Sequence, residues 1–92
     1  MMLVRATSRF RKALKKLLHS GRFDREELAS VIDILARGKK LDASYQDHEL
    51  SAELIGHHEC HIKFDLLLLY RIENNNLVLV LVNLGSHSDL FG

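Results

Sequence analysis

Apolar residues recur at helical spacing in the first part of the chain and at strand spacing in the last. Phe10, Ala13, Leu14, Leu17 and Leu18 trace one face of a helix. Thr7 or Ser8 is placed to cap it, it runs to about His19, and Gly21 closes it. Asp24, followed three residues later by Glu27, is a capping box that opens a second helix to about Arg37. Its buried face is Leu28, Val31, Ile32 and Leu35, and Gly38 sits just past its end. The two form a helical hairpin, preceded by a short strand over residues 2–6.

Residues 39–51 carry no clean period and read as a loop. After them the pattern becomes β. Residues 52–55 and 58–63 flank Gly56-His57, which reads as a tight connection between two strands. In an extended chain His57, Glu59, His61 and Lys63 share one face, and His58, Cys60, Ile62 and Phe64 share the other. The second set is mostly apolar, so it faces the core and His61 faces outward. Residues 66–72 form the next strand, and Glu73-Asn74-Asn75-Asn76 is a hairpin turn suited to left-handed backbone. Residues 77–84 are apolar on both faces and therefore central. The order β-α-α-β-β-β predicts an α+β fold, with the helical hairpin packed on one face of an antiparallel sheet and the other face open.

The length of 92 residues fits one domain, residues 1–92. The longest apolar runs, residues 66–70 and 77–82, fall far short of the ~20 residues a membrane span needs. At the start the charges follow the apolar patch rather than precede it, which is not signal-peptide order. A single cysteine, Cys60, excludes an internal disulfide and fits a reducing cytoplasm, the expected location. The net charge of +1 hides a division. Up to Lys40 there are eleven bases and four acids; from Leu41 onward there are two bases and eight acids. Arg9, Arg11, Lys12, Lys15 and Lys16 on the first helix, with Lys39 and Lys40, make a basic surface for a polyanion or an acidic protein.

Five of the six histidines lie in the acidic half. A zinc site is disfavoured, because alternation sends His58 and Cys60 to the opposite face from His57 and His61 and there is no CxxC or HExxH. No metal and no cofactor are expected. Cys60, flanked by apolar residues, reads as core rather than as a reactive thiolate. The remaining chemistry is acid–base. His48, His61 and His87 come from a loop, a strand and a C-terminal turn hinged at Gly85, and they are able to meet on the open face. Histidine titrates near neutrality, so a pair serves as general base and general acid, a combination suited to phosphodiester transfer in RNA. Histidines in such places are also commonly structural, and Phe91 equally fits a tail that plugs the core. The residues by themselves leave both readings open.

The segments LDASYQDHEL, ECHIKFDLLLLYRI and LVLVLVNLGSHSDLF, which span most of residues 41–91, resemble the YafQ family of bacterial toxins within the RelE/ParE superfamily. The resemblance implies a RelE-like fold and a ribosome-dependent mRNA endoribonuclease, neutralised by an antitoxin of the DinJ type. It carries the active-site positions onto His48, His61, Asp65, His87 and Phe91. His87 would be the principal acid–base residue, with His48 and His61 assisting proton transfer or phosphate binding. Asp65 would orient or tune a histidine, and Phe91 would stack on a base. The basic helices would contact ribosomal RNA, and DNA would be met only through the antitoxin. The chain departs from the family's usual Pro at Phe64, Trp at Leu66 and Arg at His58 and Asn83, which implies weaker charge stabilisation and weaker cleavage. The superfamily also contains non-enzymatic toxins of the ParE kind that bind DNA gyrase. A degenerate member retained only for antitoxin binding is the third reading.

Overall fold

Two helices cover one face of a five-stranded sheet whose strands lie in the order β1-β5-β4-β3-β2. The computed structural model describes all residues except Arg22, Phe64 and Gly92. The strands are β1 (Leu3–Ala6), β2 (His48–Glu49), β3 (His57–Lys63), β4 (Leu66–Glu73) and β5 (Val78–Gly85). The helices are α1 (Ser8–Ser20), α2 (Arg25–Ala36) and a single C-terminal turn and a half, α3 (His87–Phe91). No helix among the described residues is long and apolar enough to cross a membrane.

Local chemistry accounts for the helical hairpin. Thr7 caps α1 by accepting from the Phe10 amide at 3.0 Å, and Gly21 ends it at φ 73°. Asp24 caps α2 by accepting from the Glu27 amide at 3.0 Å. Glu27 does not reach back to complete the box; its carboxylate instead accepts a short hydrogen bond from the Tyr45 hydroxyl. That bond ties the 3₁₀ turn Ala43–Tyr45 to α2. Phe10, Leu28, Val31, Leu35 and Ala36 then meet Cys60, Ile62, Leu68, Tyr70, Leu79, Leu81 and Leu84 in one buried cluster. Phe64, grouped with Cys60 and Ile62 by the alternation, lies outside the described residues.

Three features depart from the pattern-based expectation. The sheet is mixed, because β1 runs parallel to β5, with Leu3 opposite Val78 and Ala6 opposite Leu81. A strand buried on both faces cannot leave one edge of its backbone unpaired, and β1 supplies the missing partner. Residues 52–55 are not a strand but a 3₁₀ turn, Ala52–Leu54, in which Ala52 takes φ 56°, outside any strand conformation. The partner that β3 takes on that side is β2, inside the stretch that reads as loop, with His48 opposite Glu59 and Glu49 opposite His58. The 74–76 turn does use left-handed backbone at all three asparagines.

The outer edge of β1 is closed at both ends, by Met2 N–H to the Ala36 carbonyl at 2.7 Å and by Arg11 Nη1 to the Ala6 carbonyl at 2.9 Å. The Thr7 hydroxyl holds the start of α1 to β5 by donating to the Val82 carbonyl at 2.6 Å. Thr7→Ala removes that bond and the helix cap together. It is expected to cost about 1–2 kcal/mol, read as a lower urea midpoint at unchanged m-value.

Candidate functional site

On the face of the sheet turned away from α1 and α2, side chains stand in rows fixed by the strand register. His61 lies opposite Leu67, and Leu67 opposite Gly85. In the next row His48 faces Glu59, Glu59 faces Leu69, and Leu69 faces Asn83. Two breaks in the register, between His61 and Lys63 and between Leu69 and Tyr70, bend the sheet beside these rows.

The first cluster is built on β2 and β3. Glu59 is buried, with 5% of its surface exposed, and its Oε1 receives two imidazoles. His48 Nε2 stands at 3.8 Å and His61 Nε2 at 3.7 Å. His48 Nδ1 is 2.7 Å from the Gln46 carbonyl, which only accepts, so Nδ1 carries the hydrogen and Nε2 is the atom turned to Glu59. Glu59 opens the ECHIKFD segment but is not among the active-site positions that the resemblance carries over. The signal for it was its position between His57 and His61 on the outward face.

A second cluster caps the end of β5. Ser86 and Asp89 form a reciprocal capping box: Ser86 Oγ accepts from the Asp89 amide at 3.1 Å, and Asp89 Oδ2 accepts from the Ser86 amide at 2.9 Å. The Ser86 amide, followed by its hydroxyl, holds the Asp89 carboxyl below its ordinary range. Asp65 Oδ1 accepts from the backbone N–H of His87 at 3.1 Å, so this carboxylate orients His87 through its main chain and not through its ring. The His87 and Phe91 rings, four residues apart on α3, lie with centroids 5.1 Å apart at 50°. Gly85 is required here by close approach and not by a left-handed backbone. A Cβ at that position would sit 2.9 Å from both Cβ and Oδ2 of Asp89.

The register sets the separation of the clusters. His61 and Gly85 are two strand spacings apart, about 10 Å, and Leu67 forms the buried floor between them. The five residues carried over by resemblance therefore fall into two groups: His48 with His61, and Asp65 with His87 and Phe91.

Other polar residues go elsewhere. Asp47, adjacent to His48 in the chain, turns to the helix side and accepts from the buried Tyr70 hydroxyl at 2.6 Å. His58 stacks on Tyr70 with ring centroids 5.2 Å apart. Burial pushes the Tyr70 hydroxyl far up, with the Asp47 bond adding to it, and pushes the Cys60 thiol up to about 12, so neither is a reactive group near neutral pH. Arg9, Arg11, Lys12, Lys15 and Lys16 are exposed along α1. Arg9 and Lys16 border a cleft with Asn83, Gly85 and Asp89, whereas Lys39 and Lys40 line a separate cleft of about 480 Å³ beside His58 and Tyr70. Asn83, where the resembling family has Arg, donates no charge and accepts from the Leu84 amide at 2.8 Å.

The family described as the bacterial toxin of a type II toxin–antitoxin system, YafQ, matches residues 2–92. No curated protein matches the chain. Among solved structures it is similar to a copper-bound mutant toxin from Helicobacter pylori, at 40% identity over 99% of this chain and 100% of that one, with a TM-score of 0.93. A metal-bound toxin from the same organism matches at 42% identity over 99% and 100% of the two chains, with a TM-score of 0.88. The toxin of the E. coli DinJ–YafQ complex matches at 26% identity over 100% of both chains, with a TM-score of 0.86. Among the described residues of the present chain, no three of His, Cys, Asp and Glu come together in a group able to hold a metal ion.

The capping box makes a prediction about His87. Gly85→Ala forces Asp89 away from Ser86 and is expected to loosen α3 while leaving the sheet intact. Backbone order parameters over His87–Phe91 should fall from about 0.85 to below about 0.6, with the rest of the chain unchanged. A rigid α3 in this variant would mean that the box does not hold the turn.

Proposed function

This chain belongs to the YafQ family of bacterial toxins of type II toxin–antitoxin systems, and from that footing we propose that it is an endoribonuclease that cuts messenger RNA on the ribosome. The observation that supports this reading is that His61 and Gly85 share one row with Leu67 as its buried floor, so that the Glu59 cluster lies on β3 and the capped turn carrying His87 begins just past the other end of that row. The spacing of about 10 Å between the backbones of His61 and Gly85 is wide enough for one phosphodiester to lie between β3 and the turn that carries His87.

In the reaction, a histidine of the Glu59 cluster removes the proton of the ribose 2′-OH. The 2′-oxygen forms a bond to phosphorus as the bond from phosphorus to the 5′-oxygen breaks, and His87 gives its proton to the departing 5′-oxygen. The products are a 2′,3′-cyclic phosphate and a free 5′-OH. His61 is the better placed base, because it lies within the seven-residue β3 and pairs with Leu67 of β4, whereas His48 sits on a two-residue edge strand. Glu59 holds both imidazoles in position and compensates the charge of whichever is protonated. Asp65 fixes His87 through its amide, and Phe91, 39% exposed and packed on His87, offers a face on which a base stacks. With no guanidinium at Asn83, charge at the phosphorane is met chiefly by imidazolium, with Arg9 and Lys16 at the neighbouring cleft, which supports a modest rate.

The exposed cations of α1 give a salt-sensitive, sequence-independent attraction to ribosomal RNA. The E. coli relative is solved with DinJ, and we infer for this chain an antitoxin of that type, encoded beside it, in the bacterial cytoplasm.

Expression of this chain alone in bacteria is expected to arrest growth, with rescue by the cognate antitoxin. His87→Gln keeps the approximate size and some of the hydrogen bonding without the titrating group. It should lower cleavage of ribosome-bound mRNA by about 10²–10⁴-fold while leaving the thermal midpoint and antitoxin binding unchanged. Undiminished cleavage by a folded His87→Gln protein would remove His87 from the chemistry.

A further inference from the structure

Two rows below the His61–Leu67–Gly85 row, the same sheet face carries a cationic row that neither the motifs nor the two histidine clusters use. Arg5 lies opposite Val80, Val80 opposite Arg71, and Arg71 opposite His57. Residues so paired project to one side of the sheet, and His57 is on the side of Glu59 and His61 by alternation. His57 and His61 are four residues apart on β3, about 13 Å.

Arg71 is held as a fixed fork. Its Nε donates to Glu73 Oε2 at 2.5 Å, and its Nη1 lies 3.5 Å from His57 Nε2. Nη2 has no partner among the described residues. The side chain is about a third exposed (35%). Arg5 is exposed and has no ion-pair partner among the described residues, so the row keeps a net positive charge despite Glu73. His57 Nδ1 is buried without any hydrogen-bond partner. The row between it and the His61 row is Glu59–Leu69–Asn83: Leu69 is more than nine-tenths buried, the Glu59 carboxylate is buried beside His48 and His61, and the Asn83 side chain accepts from the Leu84 amide.

We propose that the row Arg5–Val80–Arg71–His57 is a phosphate subsite for a single strand of RNA that runs along the strands from the His61–His87 gap. The inference rests on the nuclease reading of that gap. Successive outward rows on a strand are about 6.7 Å apart, which matches the repeat of an extended nucleotide chain. A phosphate two nucleotides from the scissile one therefore arrives over Arg71. A preorganised guanidinium with one edge already committed presents its remaining N–H groups to phosphate oxygens at little ordering cost. Arg5, two strands away, meets the same backbone from the other side. The α1 cations lie off this row; those nearest the site, Arg9 and Lys16, border the cleft at Asn83, Gly85 and Asp89 instead.

The test uses the whole protein and non-cleavable RNA, with every 2′-hydroxyl methylated, as fluorescently labelled oligonucleotides of two and six residues. Wild type is expected to gain on the order of tenfold in affinity on lengthening. Arg71→Gln and Arg5→Gln should each shrink that gain to about twofold, and each should lower the slope of log K against log salt by about 0.7 for the hexamer. Arg5→Gln alters an exposed side chain, so it keeps the test decisive if Arg71→Gln disturbs the sheet. Variants that keep the full length-dependent gain would overturn the subsite while leaving the nuclease reading intact. A wild type that binds neither oligonucleotide would overturn both.

Discussion

Strand β5 is apolar on both faces, and a strand buried in that way tolerates no unpaired edge. Meeting that demand assembles most of the molecule. β4 closes one edge through the 74–76 turn, and β1 closes the other from the far end of the chain. Because β1 is placed there, Thr7 falls beside Val82, and α1 starts with its apolar stripe over Leu79, Leu81 and Leu84. Because β4 is placed there, β3 follows with His61 level with Leu67 and Gly85. The end of β5 then delivers Gly85, Ser86 and His87 at a height fixed by the whole sheet. The spacing between the two histidine clusters follows from the requirement to pair this one strand.

What surrounds the two clusters serves to immobilise them. Asp89 commits its carboxylate to capping a turn. Asp65 accepts from an amide, and Glu59 lies within ion-pair distance of two imidazoles. Three carboxylates thus hold three histidines in place, each by a different contact. Functional groups supported on strand ends and a capped turn are positioned more closely than groups on open loops. Alternation along β2 and β3 also keeps two polar networks apart, with Glu59 and its histidines on one face and Asp47, Tyr70 and His58 on the other.

Features set by near neighbours in the chain were legible in the sequence: the caps at Thr7 and Asp24, the 74–76 turn, the inward set Cys60 and Ile62, and the buried last strand. Features set by distant partners were not. β1 alternates too briefly to declare its parallel partner, and β2 has two residues, fewer than any periodicity resolves. Residues 52–55 have strand-like composition, yet the register of β3 was already taken by β2, so they close into a 3₁₀ turn. α3 carried a readable signal in Ser86 and Asp89, which the Gly-hinged tail obscured. The candidate residues His48, His61, Asp65, His87 and Phe91 came through motif resemblance. Glu59 was legible on the outward face beside His61, but its place beside His48 emerged only from the cross-strand pairing.

The central claim is that one phosphodiester sits between the two histidine clusters and touches both. The most direct measurement is a titration of the protein with a 2′-O-methyl dinucleotide, followed through the imidazole resonances of His48, His61 and His87 and the ring of Phe91. All four should shift together along one binding curve, with His19, on α1, unmoved. Shifts confined to one cluster, or confined to the α1 cations, would contradict the account.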